Sequence, residues 1–176
     1  MWVVVDGDIR ADAGELRRLI DDGFEGVDPD RVEVRVDRAR GARESFTGRA
    51  HGRRPPRLAS RADTAFLVQL RIPATLRNRA YPKTYRYPRR ATAPAITVRD
   101  WRERLLALAA HEAWHVHQFR HGLPRSEVAA ERWALRTLQA WRDRGRPRPR
   151  PEPDGPDGAG VPIQASLLDL LSVNFP

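Results

Sequence analysis

Apolar positions recur along this chain with two different periods, and the switches between them outline its elements. The run "MWVVV" (1–5), ended by "DGD", reads as a short buried strand. Asp12 and Glu15 stand at capping-box spacing, and Leu16, Leu19, Ile20 and Phe24 share one face of the helix that they open. In "RVEVRVD" (31–37), Val32, Val34 and Val36 alternate with charges, which predicts a half-buried strand. From Arg38 to Arg61 the residues are mainly Arg, Gly, Pro and Ser, and a long loop is expected. "TAFLVQLRI" (64–72) is apolar on both faces, as a central strand is. Four prolines between residues 73 and 94 forbid any long helix there. "AITV" (95–98) then predicts a short edge strand running into Asp100, a candidate N-cap.

Helical spacing takes over from Trp101 to about Phe119, and again from about Pro124 to Arg144, where Gly145 and Pro147 stop it. The expected architecture is α+β, with a small mixed or antiparallel sheet packed on this helix pair. Residues 1–145 are expected to form a single domain. Residues 146–160, "RPRPRPEPDGPDGAG", suit an extended linker. Residues 161–176 form an apolar tail that must bury Val161, Ile163, Leu167, Leu168, Leu170, Leu171, Val173 and Phe175 somewhere. Packing on the core or on a second copy is one expectation. Self-inhibition, with the tail lying in a substrate cleft, is the other.

Composition narrows the chemistry. The 176 residues include no cysteine, so disulfides, iron–sulfur clusters and thiolate metal ligands are excluded. Any metal must be held by His, Asp or Glu. No apolar run approaches the length of a membrane span, and "MWVVVDGD" lacks the basic and apolar regions of a signal peptide, so a cytoplasmic chain is expected. The net charge of +9 comes almost wholly from arginine, Lys83 being the sole lysine. No nucleic-acid recognition motif accompanies that charge, so a solvated Arg-rich surface is favoured over a nucleic-acid partner.

Four of the five histidines fall in "HEAWHVHQFRHG" (111–122). His111, Glu112 and His115 make an H-E-x-x-H pattern, which chance would produce on the order of 0.01 times in a chain of this composition. At 100° per residue, Trp101, Leu105, Leu108, Glu112, His115 and Phe119 form one stripe, with His111 at its edge. The motif therefore continues a core-facing stripe. Polar groups turned inward are costly unless something satisfies them, and two imidazoles one turn apart can share a tetrahedral zinc ion. Glu112 beside them can take a proton from an attacking water.

A third ligand has two candidates. His121 stands ten residues after His111, the spacing of the metzincin pattern H-E-x-x-H-x-x-G-x-x-H. Gln118 holds the place of that family's glycine, and there is no Met-turn because Met1 is the only methionine. If the helix runs to Phe119, His121 projects about 120° away from His115. The other candidate lies on the second helix, in "SEVAAERWAL" (126–135), where Glu127 and Glu131 stack at i and i+4. With the H-E-x-x-H helix before it, this stretch resembles the gluzincin peptidases, whose third ligand is a Glu on a following helix, and in scale the minigluzincins. The resemblance covers about residues 64–145.

The resemblance implies one zinc ion held by His111, His115 and Glu127, with Glu131 orienting a histidine and Glu112 as the catalytic base. It also implies a peptide or protein substrate. Here a Glu replaces the family's shorter Asp or Asn at the orienting position. "AITV" is the strand expected to pair with substrate, and Tyr81, Tyr85 and Tyr87 are candidate oxyanion donors. His117 projects roughly opposite His115 and reads as a packing or surface residue. His51 lies in the expected loop, away from the motif in sequence. The alternative function is a metal-containing binding or regulatory module that cleaves nothing, with or without a nucleic-acid partner.

Overall fold

A computed structural model describes residues 1–40, 45–52, 59, 61–76, 81–85 and 93–145. The expected linker (146–160), the apolar tail (161–176) and Tyr87 lie outside the described residues. Four strands, β1 (Trp2–Val5), β2 (Val32–Arg38), β3 (Thr47–His51) and β4 (Phe66–Ile72), form a mixed sheet in the order β1-β2-β4-β3. β1 and β4 both run parallel to β2, and β3 runs antiparallel to β4. A separate antiparallel pair joins β5 (Lys83–Tyr85) to β6 (Ile96–Val98). The helices are α1 (Ala13–Gly23), α2 (Trp101–Arg120) and α3 (Glu127–Asp143). The fold is thus α+β, with a small mixed sheet. None of the described helices is long and apolar enough to cross a membrane.

The register aligns Val34 with Val68 and Val36 with Leu70, while Ala50 lies opposite Val68 and Gly48 opposite Leu70. Side chains alternate across a strand, so these residues share one face, and it packs against α2. The opposite face is not simply wet. Glu33 is buried, its carboxylate accepting from Thr64 Oγ1 at 3.2 Å and from the Arg61 amide at 3.3 Å. β2 is therefore covered on both faces over part of its length, where a half-buried strand was expected. The hydrogen bonds compensate the polar group that alternation had assigned to solvent.

Two further expectations change. The segment from Arg38 to Arg61 is not all loop, because it contains β3. Its sequence, TGRAH, has weak strand preference, and it pairs because β4 otherwise leaves a row of unmet backbone groups. "AITV" does lie in a strand, but β6 belongs to the two-stranded sheet. The strand at the margin of the main sheet beside α2 is β3.

α2 is the central element, contacted by the sheet, α1 and α3. It is buried on nearly all sides rather than along one stripe; Ala107, Ala109, Ala110 and Ala113 are covered as well as Leu105 and Leu108. Small residues permit this close wrapping. At Gly23 of α1 a Cβ would come within 2.7 Å of the Ala109 Cβ.

The turn between α2 and α3 is tightly specified. Gly122 adopts φ +64°, its amide donates to Phe119 O, and the Leu123 amide donates to Gln118 O, a Schellman closure that ends α2 within one turn. Ser126 then caps α3 by accepting from the Ala129 amide. α3 starts at Glu127, three residues later than expected, because Pro124 and Arg125 belong to the turn. The far end of the helix pair is pinned by Arg142, which donates to buried Glu103 at 2.9 Å and to Thr97 O of β6 at 2.8 Å. The helices consequently lie antiparallel, with the start of α3 beside the end of α2.

Candidate metal centre

That antiparallel pairing brings together three side chains that were candidates from sequence. His111 Nε2 lies 3.2 Å from Glu127 Oε2, His115 Nε2 lies 3.3 Å from the same oxygen, and the two Nε2 atoms are 3.1 Å apart. His111 and His115 are buried, and Glu127 is partly so. Tetrahedral coordination with bonds of about 2.0–2.1 Å separates neighbouring ligand atoms by about 3.3–3.4 Å. The three donors thus stand close to the spacing of one face of such a tetrahedron. His111, His115 and Glu127 could hold a metal ion.

The surrounding hydrogen bonds test that fit. Gln118 Nε2 donates to Pro124 O at 2.9 Å, which turns its Oε1 toward His115 Nδ1, 2.8 Å away. A carbonyl oxygen only accepts, so the His115 proton sits on Nδ1 and the Nε2 lone pair faces the cluster. His111 Nδ1 faces Glu131 Oε1 across a longer 3.5 Å contact. Arg125 Nε donates to Glu127 Oε1 at 2.9 Å, leaving Oε2 toward the histidines. Lone pairs from all three residues converge, and they repel unless a cation lies between them. A proton or a metal ion can serve.

The pKa shifts express the proton option. Burial works to lower the pKa of His111, but hydrogen bonds to Glu127 and Glu131 outweigh it and raise it to about 10. Burial works to raise that of Glu127, but the bonds from His111 and His115 hold it well below the usual carboxylate range. A metal ion entering at neutral pH therefore displaces a proton from His111.

Glu112 projects from the same helix and is only 1% exposed. Its Oε2 is buried with no hydrogen-bond partner among the described residues. Its Oε1 lies over the backbone of β3, where a Cβ added to Gly48 would come within 2.5 Å of it. No protein-family model, curated protein or solved structure matches this chain.

The remaining candidates are outside the three-donor cluster, although His51 is near enough to Glu112 and Arg125 to feel their charges. His121 caps the C-terminus of α2, and its ring packs on His117 with centroids 4.4 Å apart, away from the cluster. His117 in turn stacks on Trp114. His51 ends β3, with Nε2 3.1 Å from Gln69 Oε1. Tyr81 is partly buried against the core, and Tyr85 is buried with its ring against Arg104.

Two residues at the centre were missed. Gln118 stands three residues after His115, a spacing that places both on one helix face, so its role was detectable. Arg125 carries no such signal, because it lies in the turn. Replacing Gln118 with Leu keeps the volume but removes the acceptor that orients His115. Affinity for a divalent ion should then fall about 10–100-fold with helix content unchanged, as chelator competition and circular dichroism would show.

Proposed function

We propose that this chain is a zinc-dependent peptidase of the gluzincin type, with His111, His115 and Glu127 as metal ligands and Glu112 as general base. The observation that carries this reading is the Glu112 carboxylate, buried and without a hydrogen-bond partner beside a three-donor cluster. A structural metal site fills all four positions with protein ligands and has no use for a free carboxylate. Three protein ligands leave one position for water, the catalytic arrangement.

Zinc, when bound, lowers the pKa of a water and polarises a substrate carbonyl. Glu112 accepts the proton of the attacking water, holds it in a site shielded from solvent, and returns it to the departing amine. Gln118 keeps His115 in the right tautomer, and Arg125 keeps one oxygen of Glu127 occupied so that the other faces inward. The substrate strand expected at "AITV" is better supplied by β3, which borders the main sheet beside Glu112 and can pair with an extended peptide.

The test is incubation of the zinc-loaded chain with an unstructured peptide mixture, read by mass spectrometry. Cleavage that a chelator abolishes and added zinc restores is expected. A fully zinc-loaded protein that cuts nothing would overturn the reading. Gly48→Ala gives a second check, since its methyl group would push the Glu112 carboxylate aside. A displacement of this size should lower kcat about 100-fold while metal content stays the same.

A further inference from the structure

Among the described residues, two buried charged side chains make neither a hydrogen bond nor an ion pair: Glu112 and Arg104. The other buried charges are matched, Glu33 by Thr64 and Arg61, Glu103 by Arg142, and Glu131 by His111. Glu112 is accounted for by the proposed reaction. Arg104 is not. It is 5% exposed, its Nε is buried without a partner, and a guanidinium does not shed its charge. Leaving such a group unpaired in the interior is costly and calls for a physical reason.

Its position suggests one. Arg104 precedes His111 by seven residues, so it lies on nearly the same face of α2, two turns or about 10 Å along the helix. The Tyr85 ring lies 3.6 Å from the guanidinium carbon, covering one flat face. Stacking of this kind uses the face and leaves the in-plane N–H groups unused, and that plane is where a carboxylate binds in a two-pronged fashion. Burial pushes the Arg104 pKa down, while the negative potential of Tyr85, Glu131 and Tyr81 pulls it back up. Glu131 is already turned to His111 and stands beyond ion-pair distance of Arg104.

We propose that Arg104 recognises a carboxylate of the peptide substrate, either an Asp or Glu side chain or the substrate's own C-terminus. This rests on the peptidase reading for the identity of the substrate. An extended chain advances about 3.3–3.6 Å per residue, so the recognised group lies within about three residues of the bond to be cut. The site thereby prefers acidic over neutral peptides.

Binding tests this separately from turnover. The probes are an end-capped peptide containing one Glu, its Gln twin, and the same Gln peptide with a free C-terminal carboxylate. They are titrated by fluorescence anisotropy into the zinc-loaded full chain carrying Glu112→Gln. At least one acidic probe should bind about 10-fold or more tightly than the capped Gln twin, and which one does so identifies the carboxylate recognised. In Arg104→Met that advantage should vanish, with affinity for the neutral twin unchanged. Should the Met variant fail to fold, Arg104→Lys, which keeps the charge but not the planar fork, should retain only part of the advantage. Equal binding of all three probes, no binding of any, or an advantage untouched by both substitutions would overturn the proposal. Acidic preference in a wild-type chain that cleaves none of the probes would instead overturn the peptidase reading and leave Arg104 as an anion site.

Discussion

Glu127→Ala is expected to abolish stoichiometric zinc binding, with the wild-type chain holding close to one ion and the variant binding at least about 100-fold more weakly. The size follows from the geometry. Glu127 Oε2 is the contact common to both histidines, at 3.2 and 3.3 Å, and no other described carboxylate joins that cluster. Disturbing an orienting partner alone costs about 10–100-fold in affinity, so loss of a direct donor should exceed that. The variant should also lose part of the support that raises the His111 pKa to about 10, because Glu127 is the largest favourable contributor to that shift.

The sign of the pH dependence follows. In the wild type, zinc competes with the proton on His111, so affinity should fall by about tenfold for each pH unit below about 10. Metal content after chelator competition at pH 6, 7 and 8, for both proteins, measures both effects. A folded wild type that takes up no zinc at any of these pH values would remove the basis of the metal-centre reading.

Glu112→Gln separates chemistry from binding. Glutamine matches the volume of the buried carboxylate and fits the same space over Gly48, but it cannot accept a proton from water. Zinc content should therefore be preserved while kcat falls by about 10²–10⁴-fold, the range for loss of a general base. The loss should appear in kcat rather than KM, because Glu112 acts on the water and not on the peptide. Removing a buried charge with no hydrogen-bond partner should at the same time raise the melting temperature. A variant that keeps its turnover would assign Glu112 a structural role.

Much of this was legible in the residues themselves. The H-E-x-x-H spacing makes His111 and His115 neighbours wherever the helix forms, because i and i+4 positions meet on any α-helix. Asp12 and Asp100 cap their helices through side chains that accept from backbone amides three residues on, a local effect that needs no tertiary context, whereas the start of α3 at Ser126 was expected earlier, near Pro124. Alternation in β2 and the apolar character of β4 likewise followed from the strand period. β3 was illegible because TGRAH pairs only when β4 supplies an edge. Gly48 and Ala50 are small there because α2 passes close by, and a small residue in sequence does not announce what it leaves room for.

Sequence alone therefore determined which residues could form the centre, since ligand type and helical spacing are local properties. Tertiary structure decided the rest. The Schellman turn at Gly122 and the Arg142–Glu103 pin set the angle at which α3 returns, and that angle places Glu127 rather than His121 beside the two imidazoles. It also left Glu112 and Arg104 as the buried charges that, among the described residues, make no hydrogen bond or ion pair, a property that depends on every neighbour at once and so cannot be read from any short stretch of chain.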